Sequence, residues 1–139
     1  MPKEGSYEFQ FCYIGHPVVP IAVEQLTVVH YSADVNIRTE PAGRPFDRQS
    51  ARCWGVVGVV KGKAEELGFC EIVDQDGDKW YMEAHGNREG TGGTYTAPYG
   101  TGKYEGMSLS GAWRVAQWPA ASPATAHGCN PNTGTYKLR

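Results

Sequence analysis

The sequence lacks a long apolar run, a cluster of basic residues and any cysteine pair of the C-x-x-C type. A membrane-spanning helix needs roughly 20 consecutive apolar residues, whereas an apolar stretch such as 56–60 contains a glycine and is followed by Lys61. The 13 basic and 15 acidic residues create no strong field for nucleic acid. We therefore expect no membrane span and no nucleic-acid partner.

The sequence also lacks an apolar period of 3.6 residues over three turns, so we expect very little helix. Its 18 glycines and 9 prolines recur at short intervals, which is typical of turns in all-β domains. Between them, period-two alternation predicts strands at residues 7–14, 21–31, 34–39, 52–60, 65–73, 79–85, 93–98, 111–118 and 133–138. This count predicts a single all-β domain over residues 1–139, a small closed antiparallel β-barrel of about eight strands. A long loop at 119–132 would precede the last strand at 133–138.

Two hairpins give the predicted strand register. A turn at Lys61 and Gly62 pairs three sets of residues directly: Arg52 with Glu71, Cys53 with Cys70, and Trp54 with Phe69. A two-residue turn at Asp76 and Gly77 pairs Ile72 with Tyr81 and Cys70 with Glu83. The more apolar face of these strands is predicted to face the barrel interior, and it carries Arg52, Trp54, Val56, Leu67, Phe69, Glu71, Val73, Trp80, Met82 and Ala84.

The four cysteines, Cys12, Cys53, Cys70 and Cys129, have no zinc-site spacing. They are compatible with two disulfides, for which three connectivities exist, or with four buried thiols.

Two motifs imitate ligand sites without meeting their requirements. Asp74, Asp76 and Asp78 suggest calcium, but the glycine and the glutamate of an EF-hand loop are missing from their positions. The segment from Gly100 to Lys103 suggests a phosphate loop, but its first glycine, its final Ser or Thr and its helix are absent. We therefore expect no metal and no nucleotide cofactor.

The predicted interior contains one pair of opposite charges, Arg52 and Glu71. Burying both is costly unless a ligand uses them, so Arg52 is predicted to bind a carboxylate, enol or carbonyl, and Glu71 to act as a general base. His30, near Asp34, is a third candidate for acid–base chemistry. Alternatives are an exposed ion pair for the first two and an outward polar residue for His30. The predicted ligand-binding wall, for which core packing is the alternative, consists of Trp54, Phe69, Trp80 and Met82.

The central segments of the chain resemble a known group of proteins. The resemblance rests on Gly68-Phe69-Cys70, the hairpin from Asp74 to Asp78, the turn from Gly100 to Gly106, Cys12 and the Arg52-Cys53-x-Gly55 element. Over residues 7–117 this pattern is similar to that of small bacterial exported proteins with an allene-oxide-cyclase-like barrel. Such barrels, with the related dirigent and lipocalin-like (calycin) groups, hold small apolar molecules in the lumen, and a few isomerise or cyclise them. Many members have no assigned activity, so the resemblance implies no catalytic residue.

The expected function is binding of a small, mainly apolar or aromatic ligand with one polar end in the lumen. A cofactor-free isomerisation, cyclisation or elimination could follow binding. The alternatives are a non-catalytic secreted carrier and a filled barrel that acts as a structural or interaction protein, with homo-oligomerisation left open. The resemblance and the even cysteine count favour a secreted or periplasmic location. Residues 1–5 lack the apolar region of a leader, which suits a mature exported domain or a cytoplasmic protein.

Overall fold

In a computed structural model that describes residues 1–139, the chain forms nine strands and one short 3-10 helix, Gly102–Tyr104. The strands are β1 (Glu4–Val23), β2 (Leu26–Arg38), β3 (Gln49–Val60), β4 (Lys63–Val73), β5 (Lys79–Gly86), β6 (Gly92–Gly100), β7 (Ser108–Arg114), β8 (Gln117–Trp118) and β9 (Ala126–Lys137). They pair antiparallel in the order β1 to β7 and then β9, and β9 also pairs with β1. Eight strands thus close a barrel, while β8 adds two residues beside β9. The predicted all-β barrel with very little helix is confirmed.

Some strand boundaries differ from the prediction. Residues 21–31 do not form one strand, because a two-residue turn at Glu24 and Gln25 separates β1 from β2. That turn contains no Gly, Pro, Asn or Asp, so its sequence carries no turn signal. The last strand begins at Ala126 rather than at residue 133. Its first half is rich in glycine, asparagine and proline, and pairing along β1 overrides this low β propensity.

The two predicted hairpins have different outcomes. The turn at Lys61 and Gly62 is confirmed, and the β3–β4 register pairs Arg52 with Glu71, Cys53 with Cys70 and Trp54 with Phe69 as predicted. Both turn residues have positive φ, 50° and 79°, as a type I′ hairpin turn requires.

The β4–β5 register predicted from a two-residue turn at Asp76 and Gly77 is wrong by one residue. The loop closes between Asp74 and Asp78, where the Asp74 N–H donates to the Asp78 carbonyl at 3.0 Å. The Asp74 carboxylate also accepts the N–H groups of Asp76 and Asp78 at 2.9 and 3.1 Å. As a result Cys70 pairs with Met82 and Ile72 with Trp80.

This one-residue shift reverses the predicted face of β3 and β4, because successive side chains of a strand point to opposite faces. Cys53, Cys70 and Ile72 face the interior together with Trp80 and Met82. The interior assignment is therefore right for Trp80, Met82 and Ala84. It is wrong for the residues of β3 and β4, which point outward: Arg52, Trp54, Val56, Leu67, Phe69, Glu71 and Val73.

All four cysteines form disulfides between directly opposite residues of neighbouring strands. Cys12 and Cys129 join β1 to β9, and Cys53 and Cys70 join β3 to β4. The two-disulfide alternative is thus the correct one. Disulfides persist in oxidising compartments, which indicates an extracellular type of protein rather than a cytoplasmic one. No helix in the structure has the length and hydropathy to cross a membrane.

One half of the barrel interior, which we call the base, is filled with aromatic side chains. At its centre lies Phe46, only 2% exposed, which the β2–β3 loop inserts with a φ of 71°. Its ring centroid lies 5.1–6.3 Å from those of Tyr7, Phe9, Trp80, Tyr104 and Tyr136. Because these rings fill the base, the cavity inside the barrel lies in the other half.

Candidate functional site

The half of the barrel opposite the base contains a cavity of about 330 Å³, which we call the lumen cavity. This volume is within the range of small-molecule pockets, roughly 300–1,000 Å³. Two-thirds of its lining residues are hydrophobic, 14 of 21. The larger apolar and aromatic lining side chains include Phe11, Tyr13, Val29, Tyr31, Val57, Met82, Tyr95 and Trp113.

The side chain of Tyr31 on β2 lies against two glycines that face each other on β3 and β4. Gly55 and Gly68 lie directly opposite each other in β3 and β4, and a Cβ added at either one would collide with the Tyr31 hydroxyl. The missing side chains therefore make the channel in which Tyr31 lies. At its end, the Tyr31 hydroxyl donates a hydrogen bond of 2.7 Å to Oε2 of Glu66.

Glu66 is the acidic side chain of the lumen cavity. It stands on the inner face of β4, where its neighbours along the strand are the small buried residues Ala64 and Gly68. A Cβ at Gly86 on β5 would come within 2.8 Å of its Oε1, so that glycine leaves room for the carboxylate. Burial raises the pKa of Tyr31, and Glu66 raises it further. The pKa of Tyr13 is raised for the same two reasons, so both phenols are protonated at neutral pH.

The wall that faces Glu66 combines an indole with amide side chains. Trp113 of β7 packs 6.4 Å from Tyr95, measured between ring centroids. Asn132 donates to the Asn130 carbonyl at 2.9 Å, and the Asn130 side chain accepts the Ala116 N–H at 2.9 Å. These bonds fix the amides in place beside the cavity, so the polar groups are preorganised around an apolar volume.

The predicted catalytic pair lies outside the barrel. Arg52 and Glu71 are directly opposite each other, but each has other partners. Arg52 Nε lies 3.6 Å from Asp34 Oδ1, whereas Glu71 accepts hydrogen bonds from Lys79 at 3.2 Å and Tyr81 at 2.8 Å. Tyr81 and Lys79 hold the pKa of the Glu71 carboxyl below its usual value. Neither member of the pair lines the cavity.

The other predicted site residues are divided among three environments. Met82 lines the lumen cavity. Trp80 is fully buried in the base, where its Nε1–H donates to Gln49 at 2.8 Å. Trp54 and Phe69 lie on the outer surface, 50% and 46% exposed. His30 is also exposed on the outer face, between Val18 of β1 and Val56 of β3.

Sequence reasoning missed Glu66, Tyr31 and Tyr13, although one signal for them was available. The predicted β3–β4 register already places Gly55 opposite Gly68, and a facing glycine pair inside a sheet leaves space for a large neighbouring side chain. Tyr31 on the adjacent strand is the ring that fills it.

The two rejected motifs belong to one structural cluster at the base. Lys103 Nζ lies 2.6, 2.7 and 3.8 Å from carboxylate oxygens of Asp74, Asp76 and Asp78. The glycine-rich turn therefore supplies the cation for the aspartate loop. Tyr104 connects this cluster to the interior, since its hydroxyl donates to Asp74 and accepts from Gln49, both at 2.9 Å.

Among solved structures, the chain is similar to that of the pterocarpan synthase dirigent protein GePTS1. The TM-score is 0.53 at 10% sequence identity, and the alignment covers 100% of this chain and 94% of that chain. No protein-family model matches the sequence, and no curated protein matches it either. At this identity the likeness shows the fold alone. The chain thus forms a dirigent-like β-barrel, in agreement with the barrel type that the resemblance over residues 7–117 implies.

Proposed function

We propose that the protein binds a small, mainly apolar molecule in the lumen cavity, with the polar end of the ligand at Tyr31 and Glu66. The observation that carries this proposal is a cavity of about 330 Å³, largely apolar, with one preorganised carboxylate–phenol pair. Pockets of this kind, apolar with a few placed polar groups, are the usual form of a small-molecule site. In this proposal Glu66 and Tyr31 take the place of Arg52 and Glu71 as the groups that address the ligand.

The proposal is tested with a neutral fluorescent probe, N-phenyl-1-naphthylamine, and one cavity-filling variant. Ala84 lines the cavity, so Ala84→Phe should abolish the fluorescence gain of the bound probe. The matched control is Ala112→Phe on β7, because Ala112 is exposed outside the barrel. Binding by the control but not by Ala84→Phe supports the lumen site. Equal binding by both variants would place the probe elsewhere and contradict the proposal.

A second candidate function is proton-transfer catalysis on the bound molecule. It is favoured by the 2.7 Å contact between Tyr31 and Glu66, which offers a protonated phenol and a carboxylate at one point of the cavity. A cofactor-free isomerisation, cyclisation or elimination needs such a base and acid beside the substrate.

A carrier and an enzyme are distinguished by the molecule that the protein releases. Native mass spectrometry of wild type and Glu66→Gln, purified from the same host, identifies any retained ligand. An enzyme would release a product isomeric with, or smaller than, the ligand that Glu66→Gln retains. A carrier would release the same molecule from both proteins.

We propose a secreted or periplasmic location, which the two disulfides support.

For a partner, we propose a second copy of the chain seated on the outer patch, defined as Trp54, Val56, Leu67 and Phe69. These four side chains form two directly opposite pairs and are 43–50% exposed. Arg52 and Glu71 flank the patch with opposite charges, so two copies could pair them across a twofold axis. Sedimentation velocity of wild type and Phe69→Lys tests this: a monomeric wild type would contradict it.

A further inference from the structure

Glu66 differs from Asp47, Glu71 and Asp74, three other partly buried carboxylates, in having no positive or backbone partner. Asp74 has Lys103, Glu71 has Lys79, and Asp47 accepts the N–H groups of Thr39 and Gly43. Glu66 takes part in none of the protein's ion pairs. Its hydrogen-bond partner within the protein is the neutral Tyr31 hydroxyl.

The rest of the lumen cavity does not supply the missing charge. None of its lining residues is Lys, Arg or His, so the cavity carries a formal charge of −1 from Glu66. A carboxylate in apolar surroundings is costly to desolvate without a counter-charge. An anionic ligand would add a second negative charge to the same space, whereas a cation would neutralise it.

The aromatic lining favours the same kind of ligand. Tyr13, Tyr31, Tyr95 and Trp113 all border the cavity, and the negative face of an aromatic ring attracts ammonium groups. The Tyr31 hydroxyl occupies Oε2 of Glu66 and leaves Oε1 to accept a further N–H.

We propose that the lumen cavity takes a small organic cation, a protonated amine with an apolar or aromatic body, and that Glu66 is its counter-ion. This inference rests on the proposed function, since it names the charge class of the ligand for the same cavity. The ammonium group donates to Glu66 Oε1, while the aromatic side chains surround it and the body of the ligand fills the apolar volume.

Three probes of nearly equal size separate the charge classes: 2-phenylethylamine, 2-phenylethanol and phenylacetate. Isothermal titration calorimetry at pH 7 should give the tightest binding for the amine and the weakest for the acid. In Glu66→Gln, affinity for the amine should fall roughly tenfold or more, as the loss of a charge-assisted hydrogen bond implies, while affinity for the alcohol stays close to wild type. The matched control is Glu65→Gln, because Glu65 is exposed on the outer face of the same strand and should change neither affinity.

The wild-type preference for amine over alcohol needs no variant and stands even if Glu66→Gln does not fold. Equal or tighter binding of the alcohol, or unchanged amine binding by a folded Glu66→Gln, would overturn the inference and leave the lumen site intact. If no probe binds, and N-phenyl-1-naphthylamine does not bind either, the proposed function fails together with this inference.

Discussion

Gly55 and Gly68 lie directly opposite each other on the inner face of β3 and β4, and the Tyr31 hydroxyl rests against both. Without these two glycines, Tyr31 could not extend along the wall to Glu66. The hydrogen bond between Tyr31 and Glu66 therefore depends on the absence of side chains at Gly55 and Gly68.

We expect Gly55→Ala to displace Tyr31, because the new Cβ would overlap its ring and hydroxyl. The collision should lower the free energy of unfolding by about 1–3 kcal/mol, the usual cost of overpacking, and should weaken ligand binding. Urea unfolding measures the first effect. The control is Gly58→Ala in the same strand, where a Cβ meets nothing within 4 Å. If Gly55→Ala is as stable as that control, Tyr31 does not depend on the channel.

The sequence predicts the barrel class and the β3–β4 register, because alternating strands and the positive-φ turn at Lys61 and Gly62 are local signals. It does not predict which face of β3 and β4 is inside. Both faces carry apolar residues, and the deciding information lay in the Asp74 loop, where side-chain hydrogen bonds select a longer turn than Asp76 and Gly77 suggest. An error of one residue in the predicted β4–β5 register therefore placed Arg52 and Glu71 in the predicted site and left Glu66 out of it.

The two disulfides should differ in their access to reductant. Cys53 and Cys70 are 5% and 7% exposed within the barrel, whereas Cys12 and Cys129 are half-buried and border an outer groove. Because thiol–disulfide exchange requires access to the sulfur, dithiothreitol without denaturant should open the Cys12–Cys129 bond first. Alkylation followed by peptide mass spectrometry reports the order.

Removal of each disulfide by paired alanines gives an independent comparison. The chain-entropy contribution is roughly 3 kcal/mol for a separation of 17 residues and about 5 kcal/mol for one of 117. We therefore expect the Cys12→Ala and Cys129→Ala pair to lose more stability in urea than the Cys53→Ala and Cys70→Ala pair. If the Cys53→Ala and Cys70→Ala pair loses more stability instead, the packing of the buried Cys53–Cys70 bond contributes more than the closure of the longer loop by Cys12–Cys129.

The cluster around Lys103 should make stability depend on acid pH. Burial alone would raise the pKa of Asp74, but hydrogen bonds from Lys103 and Tyr104 hold it below its usual value. A carboxyl whose folded pKa is lowered stabilises the fold above its unfolded pKa and loses that contribution as the pH falls through the folded pKa. The loss should therefore begin below about pH 4. The pKa of Lys103 is raised by the aspartates, so its own contribution is lost only above about pH 10.

We expect Lys103→Met to lower the free energy of unfolding at pH 7 by about 2 kcal/mol, the scale of a hydrogen bond between charged groups. The difference from wild type should shrink as the pH falls below about 4, because protonation of Asp74 removes its charge from the pair with Lys103. Lys63→Met is the control, because Lys63 is exposed and makes no ion pair. A difference that stays constant from pH 7 to pH 3 would show that Lys103 acts through packing rather than charge.

Phe46 and Phe69 provide a direct test of which side of the barrel wall is interior. Phe46 is 2% exposed at the centre of the base, and Phe69 is 46% exposed on the outer patch. Phe46→Ala should cost about 3–5 kcal/mol, as expected for a buried phenylalanine. At protein concentrations too low for two copies to associate, Phe69→Ala should cost less than about 1 kcal/mol, because in a single chain its ring is already half in water. Both values come from urea unfolding.

The same two variants separate stability from ligand binding. Phe69→Ala should bind N-phenyl-1-naphthylamine as the wild type does, since Phe69 points away from the lumen cavity. If Phe69→Ala instead lost the probe while remaining folded, the ligand would sit on the outer patch, and the lumen would have no part in binding it.

Phe46→Gly tests the backbone at the centre of the base, because glycine adopts the φ of 71° without strain. We expect it to lose no more stability than Phe46→Ala despite removing one more carbon.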